Sequence, residues 1–168
     1  MSKNLKDIVI TTALRTPIGR YNGIFKDKHA HELGSIVIKE ILNKSNLKPN
    51  DIDEIIMGQV LTGSTGQNPA RQAAILSNIP KEKTAYLINQ VCGSGLRAIV
   101  AGYQSVLLND SDIILAGGQE SMTKSTEKMM LKDGLIDAFN NYHMGITAEN
   151  VAEKWNISRE EQDNFALN

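Results

Sequence analysis

The sequence predicts an α/β fold on a mostly parallel, mixed sheet, and three observations carry that reading. Short β-branched runs alternate with longer stretches of helical periodicity, the order that parallel strands and right-handed crossovers produce. Glycine, proline and asparagine fall between the runs, where turns need them. Of the 168 residues, 41% are hydrophobic, enough for a real core in a chain of about one domain's length.

Ile8-Val9-Ile10-Thr11-Thr12-Ala13 is short and β-branched, which predicts a buried strand. Pro17, Gly19 and Gly23 then punctuate a loop that reaches Ala30. From His31 to Ser45, Leu33, Ile36, Val37, Ile41 and Leu42 recur at helical spacing and mark one apolar face. Pro49 stops that helix, because it has no amide to donate and restricts Lys48 before it. Ile55-Ile56-Met57 is the next strand candidate. Asn68 is placed to cap a second helix, with Pro69 at the first helical position. Thr84 to Ile88 reads as a strand between a charged turn and a Gly-rich one. From Gly93 to Leu108 apolar or small side chains occupy nearly every face, which predicts a central helix buried on several sides. Ile113 to Ala116 is a further strand, ended by Gly117-Gly118. Lys124 to Lys132 reads as a solvated helix face. Thr147 is expected to cap a helix carrying Val151, Ala152 and Trp155. Ser158 and Glu161 form a capping box that opens one more helix, barely begun at Asn168. The organisation expected is a core over residues 1–118 and a second, unfinished segment over 119–168.

Composition narrows the function. Eighteen basic residues face nineteen acidic ones, a net charge of −1, which argues against nucleic acid or an anionic membrane as partner. A single cysteine excludes an intrachain disulfide framework and a Cys-based structural zinc. The apolar run after Met1–Asp7 is far below the roughly 18 residues a membrane span needs, and no signal-type cleavage site follows it. A cytoplasmic protein is the expectation.

The strongest chemical candidate is Cys92, in Asn89-Gln90-Val91-Cys92-Gly93-Ser94-Gly95-Leu96-Arg97-Ala98. It falls between a predicted strand and a helix start, where backbone amides and the helix dipole favour a thiolate. Gly93 and Gly95 remove side chains that would block a bulky electrophile, and amides there can hold a developing oxyanion. The bland alternative is an inert packed cysteine. A second alternative reads Gly93-x-Gly95-x-x-Ala98 as a dinucleotide fingerprint, with Glu120, a little late, as its acidic partner. His29, His31 and His143 are the available histidines. Solvated or capping roles suit the first two; His143, beside Met144 and Gly145, can line an acyl tunnel or be merely structural.

Five segments in order resemble one family, the thiolases, most closely those of the biosynthetic type. They are Arg15-Thr16-Pro17-Ile18-Gly19, Gly66 to Ala73, Asn89 to Ala98, Gly117 to Met122, and Tyr142 to Val151. The resemblance implies the N-terminal half of a thiolase, with 119–168 the beginning of a coenzyme-A-binding loop domain. It implies that Cys92 accepts an acetyl group from acyl-CoA as a thioester, and that a second acetyl-CoA condenses to acetoacetyl-CoA, or the reverse thiolysis. Cys92's own amide would form half of the oxyanion hole. Leu135, His143 and Met144 match family positions beside the acyl and pantetheine groups. No cofactor or metal is implied beyond coenzyme A as part of the substrate, and a homo-oligomer, dimer or tetramer, is expected of the full-length protein. Two departures stand out. The family's second half supplies the activating histidine, a second cysteine and a water-holding asparagine, and none of those motifs occurs here. The link from Met122 to Met129 is also shorter than the family's. The competing reading is a non-catalytic fragment serving as a folding or interaction module.

Overall fold

The computed structural model describes residues 7–168. The chain divides into two compact units, Met1–Thr126 and Glu127–Asn168, so the break falls eight residues beyond the boundary expected after Gly118. The lysine-containing start of the N-terminus, Met1 to Lys6, lies outside the described residues.

In the first unit, helix α1 (Ala30–Ser45) precedes strand β1 (Glu54–Gly58), α2 (Pro69–Leu76), β2 (Thr84–Ile88), α3 (Ser94–Leu107) and β3 (Ile114–Gly118). The three strands form one sheet in the order β2-β1-β3, both pairings parallel. No antiparallel strand joins it among the described residues, so the sheet is parallel and not mixed. Residues 8–13 are not a strand: they carry no ladder, and Val9 and Ile10 are each 74% exposed. A β-branched run becomes a strand only where a neighbouring edge pairs with its backbone, and none does so here.

Period two along the strands separates the two faces of the sheet. Ile55, Met57, Ala85 and Leu115 join Ile38 and Leu42 of α1 and Ala70, Ala73 and Ala74 of α2 in one core. The opposite residues Gly58, Ile114, Ala116 and Gly118 meet α3, whose Gly102 lies against Ile114 and Ala116. Helix α1 turns a different stripe inward from the one its periodicity suggests. Ala30, Gly34, Ser35, Ile38 and Leu42 are buried, while Ile36 stays exposed. Small residues let α1 approach closely, and the Gln119 side chain and Met57 methyl fill the space beside Gly34; close approach outweighs the burial of one more isoleucine.

The same logic corrects the expectation for α3. Only Ser94, Ala98 and Gly102 are buried on it, a four-residue stripe of small side chains seated on the sheet. Leu96 is 70% exposed, and Ile99 and Tyr103 are exposed as well. The helix is therefore half-covered and not a buried central helix, and Cys92 precedes its first residue instead of riding on it. The glycines 117 and 118, expected to end β3, instead form its last two rungs, paired with Met57 and Gly58.

The second unit begins with a short helix α4 (Glu127–Met129) that widens into a π-helix at Met130–Leu135. Helices α5 (Met144–Trp155) and α6 (Arg159–Leu167) follow. The box of Ser158 and Glu161 opens α6 as read: the Ser158 amide donates to Glu161 Oε2 at 2.7 Å, and the Glu161 amide to Ser158 Oγ at 3.2 Å. Thr147 does not cap α5. The helix starts a turn earlier, because His143 Nδ1 accepts the Gly145 amide at 2.9 Å and serves as the cap. Among the described residues no helix is long and apolar enough to cross a membrane.

Candidate active site

Cys92 lies exposed in the turn between β2 and α3. The turn is built from its own hydrogen bonds. Asn89 Oδ1 accepts the Val91 amide at 2.9 Å, and the Gln90 carbonyl accepts the Gly93 amide at 3.0 Å. The Ser94 amide donates to the Val91 carbonyl at 3.1 Å. Ser94 Oγ accepts from the Gln90 amide at 2.8 Å and donates to the Val91 carbonyl at 2.6 Å. Gly93 and Ser94 amides are thus already spent on the turn, which removes them as oxyanion donors.

Beneath the turn, glycines allow the helix start to touch the sheet. A Cβ on Gly58 would lie 2.4 Å from the Ser94 carbonyl carbon and 2.5 Å from the Gly95 nitrogen. Gly95 in turn packs against Gly118. The C-terminal ends of β1 and β3 are tied together beside it. The Gln119 amide donates to the Gly58 carbonyl at 2.9 Å, Gln119 Nε2 to Gln59 Oε1 at 2.9 Å, and Gln59 Nε2 to the Leu61 carbonyl at 2.9 Å. Glu120 Oε2 accepts the Val60 and Leu61 amides at 2.8 and 3.3 Å. That carboxylate spends one oxygen on backbone and buries the other, so it is not presented as the ribose-binding acid of the dinucleotide reading.

The histidines separate. His29 and His31 stack on each other, ring centroids 5.4 Å apart, at the start of α1. Burial, then the neighbouring His29, hold the His31 pKa below its ordinary value, with Glu32 pulling the other way. His143 belongs to the second unit. There Leu135 ends the π-helix, and the next residue, Ile136, forms an antiparallel bridge with His143. The bridge closes a loop that Asp137 organises: its Oδ1 accepts the Phe139 and Asn140 amides at 2.9 and 2.6 Å. Those amides, Asn140 first, hold the Asp137 pKa below the usual carboxylate range. Leu135, His143 and Met144 are thereby gathered around one bridge, with Leu135 and Met144 half-buried and His143 exposed. Among the described residues no group of three or more His, Cys, Asp or Glu side chains is disposed to hold a metal ion.

Sequence reasoning missed Ser94, Gly58 and the left-handed backbone of Val91, whose φ is +49°. A glycine inside a strand run, directly before a polar residue, was the one available signal for Gly58.

A parallel α/β unit that displays one exposed cysteine where a strand hands over to a helix leaves that thiol open to a bound electrophile. The comparisons make that reading specific. The model of the thiolase N-terminal domain matches residues 8–129 and 124–168, and the chain belongs to the thiolase family. It is 52% identical over 175 residues to an acetyl-CoA acetyltransferase of Paracoccus denitrificans, covering 95% of this chain and 45% of the relative. To the acetyl-CoA acetyltransferase of Rhizobium meliloti (strain 1021) it is 51% identical over 176 residues, with the same coverage. A probable acetyl-CoA acyltransferase of Staphylococcus epidermidis is 49% identical over 177 residues. The chain spans about half the length of these curated relatives. The two family matches meet at 124–129, the stretch that holds the break between the compact units and the short link noted in the sequence.

Proposed function

We propose that this chain carries the acyl-accepting half of a thiolase. Cys92 takes an acetyl group from acetyl-CoA: its sulfur attacks the thioester carbonyl, a new C–S bond forms, and coenzyme A leaves as the thiol. Condensation of that acetyl-enzyme with a second acetyl-CoA gives acetoacetyl-CoA, and thiolysis is the reverse. The observation that carries the reading is the exposed Cys92 on a hydrogen-bonded turn at the β2–α3 junction, in a chain about half identical to proteins named acetyl-CoA acetyltransferase. Cys92's own amide is the proposed donor to the thioester oxygen. Leu135, His143 and Met144 are the proposed acyl and pantetheine contacts, supported by the bridge that groups them, within a coenzyme-A-binding segment that includes 127–168. Coenzyme A enters as substrate. A homo-oligomer in the cytoplasm is the proposed state of the full-length protein.

Incubation with acetyl-CoA followed by peptide mass spectrometry tests this. An acetyl group on the Cys92 peptide, absent in Cys92→Ala, is the expected result. Acetyl found at another residue, or none on Cys92, overturns the assignment.

A further inference from the structure

We infer that Ser94 is a positioning residue for Cys92: its hydroxyl clamps Val91 in left-handed backbone and so aims the next side chain out of the turn. The inference rests on Cys92 being the nucleophile proposed above, and it adds a residue that acts through the backbone without touching substrate.

Val91 has φ +49°, and it is an outlier of its kind. Of the nine non-glycine residues at positive φ among those described, seven are asparagine and one is serine. Asparagine enters this region at small cost, whereas a β-branched side chain crowds its own carbonyl there. Such a conformation persists only when its surroundings over-determine it. At Val91 the Asn89 side chain accepts its amide and the Ser94 amide reaches its carbonyl; the Ser94 hydroxyl adds the bonds that span the residue, accepting the Gln90 amide on one side and donating to the Val91 carbonyl on the other.

Serine at a helix start usually accepts an amide of the first turn as a cap. Here Gly93 holds the cap position, no side-chain cap bond is made, and Ser94 points its oxygen back into the turn. Its own place is rigid. Ser94 is 4% exposed, and its carbonyl lies so close to Gly58 that no Cβ would fit between them. Rigidity therefore runs from the central strand at Gly58, through Ser94, to Val91 and Cys92.

Three variants test this: Ser94→Ala, Val91→Gly and the double variant, each first shown to melt cooperatively. The φ-sensitive one-bond coupling between Cα and Hα of residue 91 reports the turn, and acetyl transfer from acetyl-CoA to Cys92 reports its use. Ser94→Ala is expected to move Val91 out of the left-handed region and slow transfer about 5- to 30-fold. Adding Val91→Gly is expected to restore transfer to within about 3-fold, because glycine adopts positive φ without a clamp. A merely structural serine would show no such rescue. Val91 staying left-handed in Ser94→Ala overturns the inference, as does unchanged transfer with a relaxed turn. A wild-type chain that takes up no acetyl group counts against Cys92 as nucleophile, and the coupling alone then decides whether Ser94 sets the turn.

Discussion

The setting of a single side chain, Cys92, is built here by neighbours that carry no chemistry of their own. Gly58 shows this most directly, because the space a methyl would need is filled by the backbone of Ser94 and Gly95. Backbone at a helix start cannot yield as the end of a flexible side chain can. Gly58→Ala is therefore expected to push α3 off the sheet and cost about 1–3 kcal/mol, the range of overpacking. Urea unfolding monitored by circular dichroism checks it: the midpoint should fall while the slope stays constant. An unchanged midpoint would mean the helix start shifts without penalty, and the rigid path to Cys92 would be lost.

Elements are held in register by polar contacts at both ends of the sheet. At the N-terminal ends, Asp53 Oδ2 accepts the Asp112 and Ile113 amides at 2.9 and 3.1 Å, and its Oδ1 meets Lys83 Nζ at 3.3 Å. One carboxylate thus joins the approaches to β1, β2 and β3. The Asp112 amide first, then that of Ile113, with Lys83 adding less, hold the Asp53 pKa below its ordinary value. A depressed carboxylate stabilises the fold above its unfolded pKa, about 3.9, and the contribution disappears as pH falls through the lower folded value. Asp53→Asn is expected to lower stability at pH 7 by about 0.5–1 kcal/mol, a figure reduced for screening because the side chain is 37% exposed. The gap to the wild type should narrow steadily below about pH 4. Denaturation midpoints of both proteins across that range check it, and a gap constant down to pH 2 would sink the account.

For the molecule as a whole, the exposed side of α3 is expected to contribute to solution behaviour. Leu96, Ile99, Tyr103 and Leu108 are left on or beside it, and contiguous apolar patches of several hundred Å² are uncommon on monomers. The chain is expected to bind an apolar dye and to self-associate as concentration rises. Leu96→Glu should reduce both with little change in melting temperature, because this leucine is already 70% exposed. Light scattering beside the dye titration measures it, and a compact monomer with no dye binding would contradict it. Turnover belongs to this scale too. The resemblance places the general acid–base groups in a second half that the 168 residues do not contain. Each such group contributes about 10²–10⁴-fold, so the chain alone should accept acetyl on Cys92 slowly and not form or cleave acetoacetyl-CoA. Steady formation of acetoacetyl-CoA by the purified chain would refute that.

Local signals were enough for much of this. Asn68 with Pro69, Ser158 with Glu161, the strand at Thr84–Ile88 and the position of Cys92 between strand and helix are all readable, because caps and period-two runs act over a few residues. Tertiary structure decided the rest. Whether Ile8 to Ala13 becomes a strand depends on a partner edge, not on its β-branched side chains. Which stripe of α1 and α3 turns inward depends on how closely each helix can approach the sheet, and small residues set that distance where hydrophobicity alone points elsewhere. The left-handed backbone of Val91 and its hydrogen bonds to Ser94 also belong to this level, because they depend on how the turn meets the helix start.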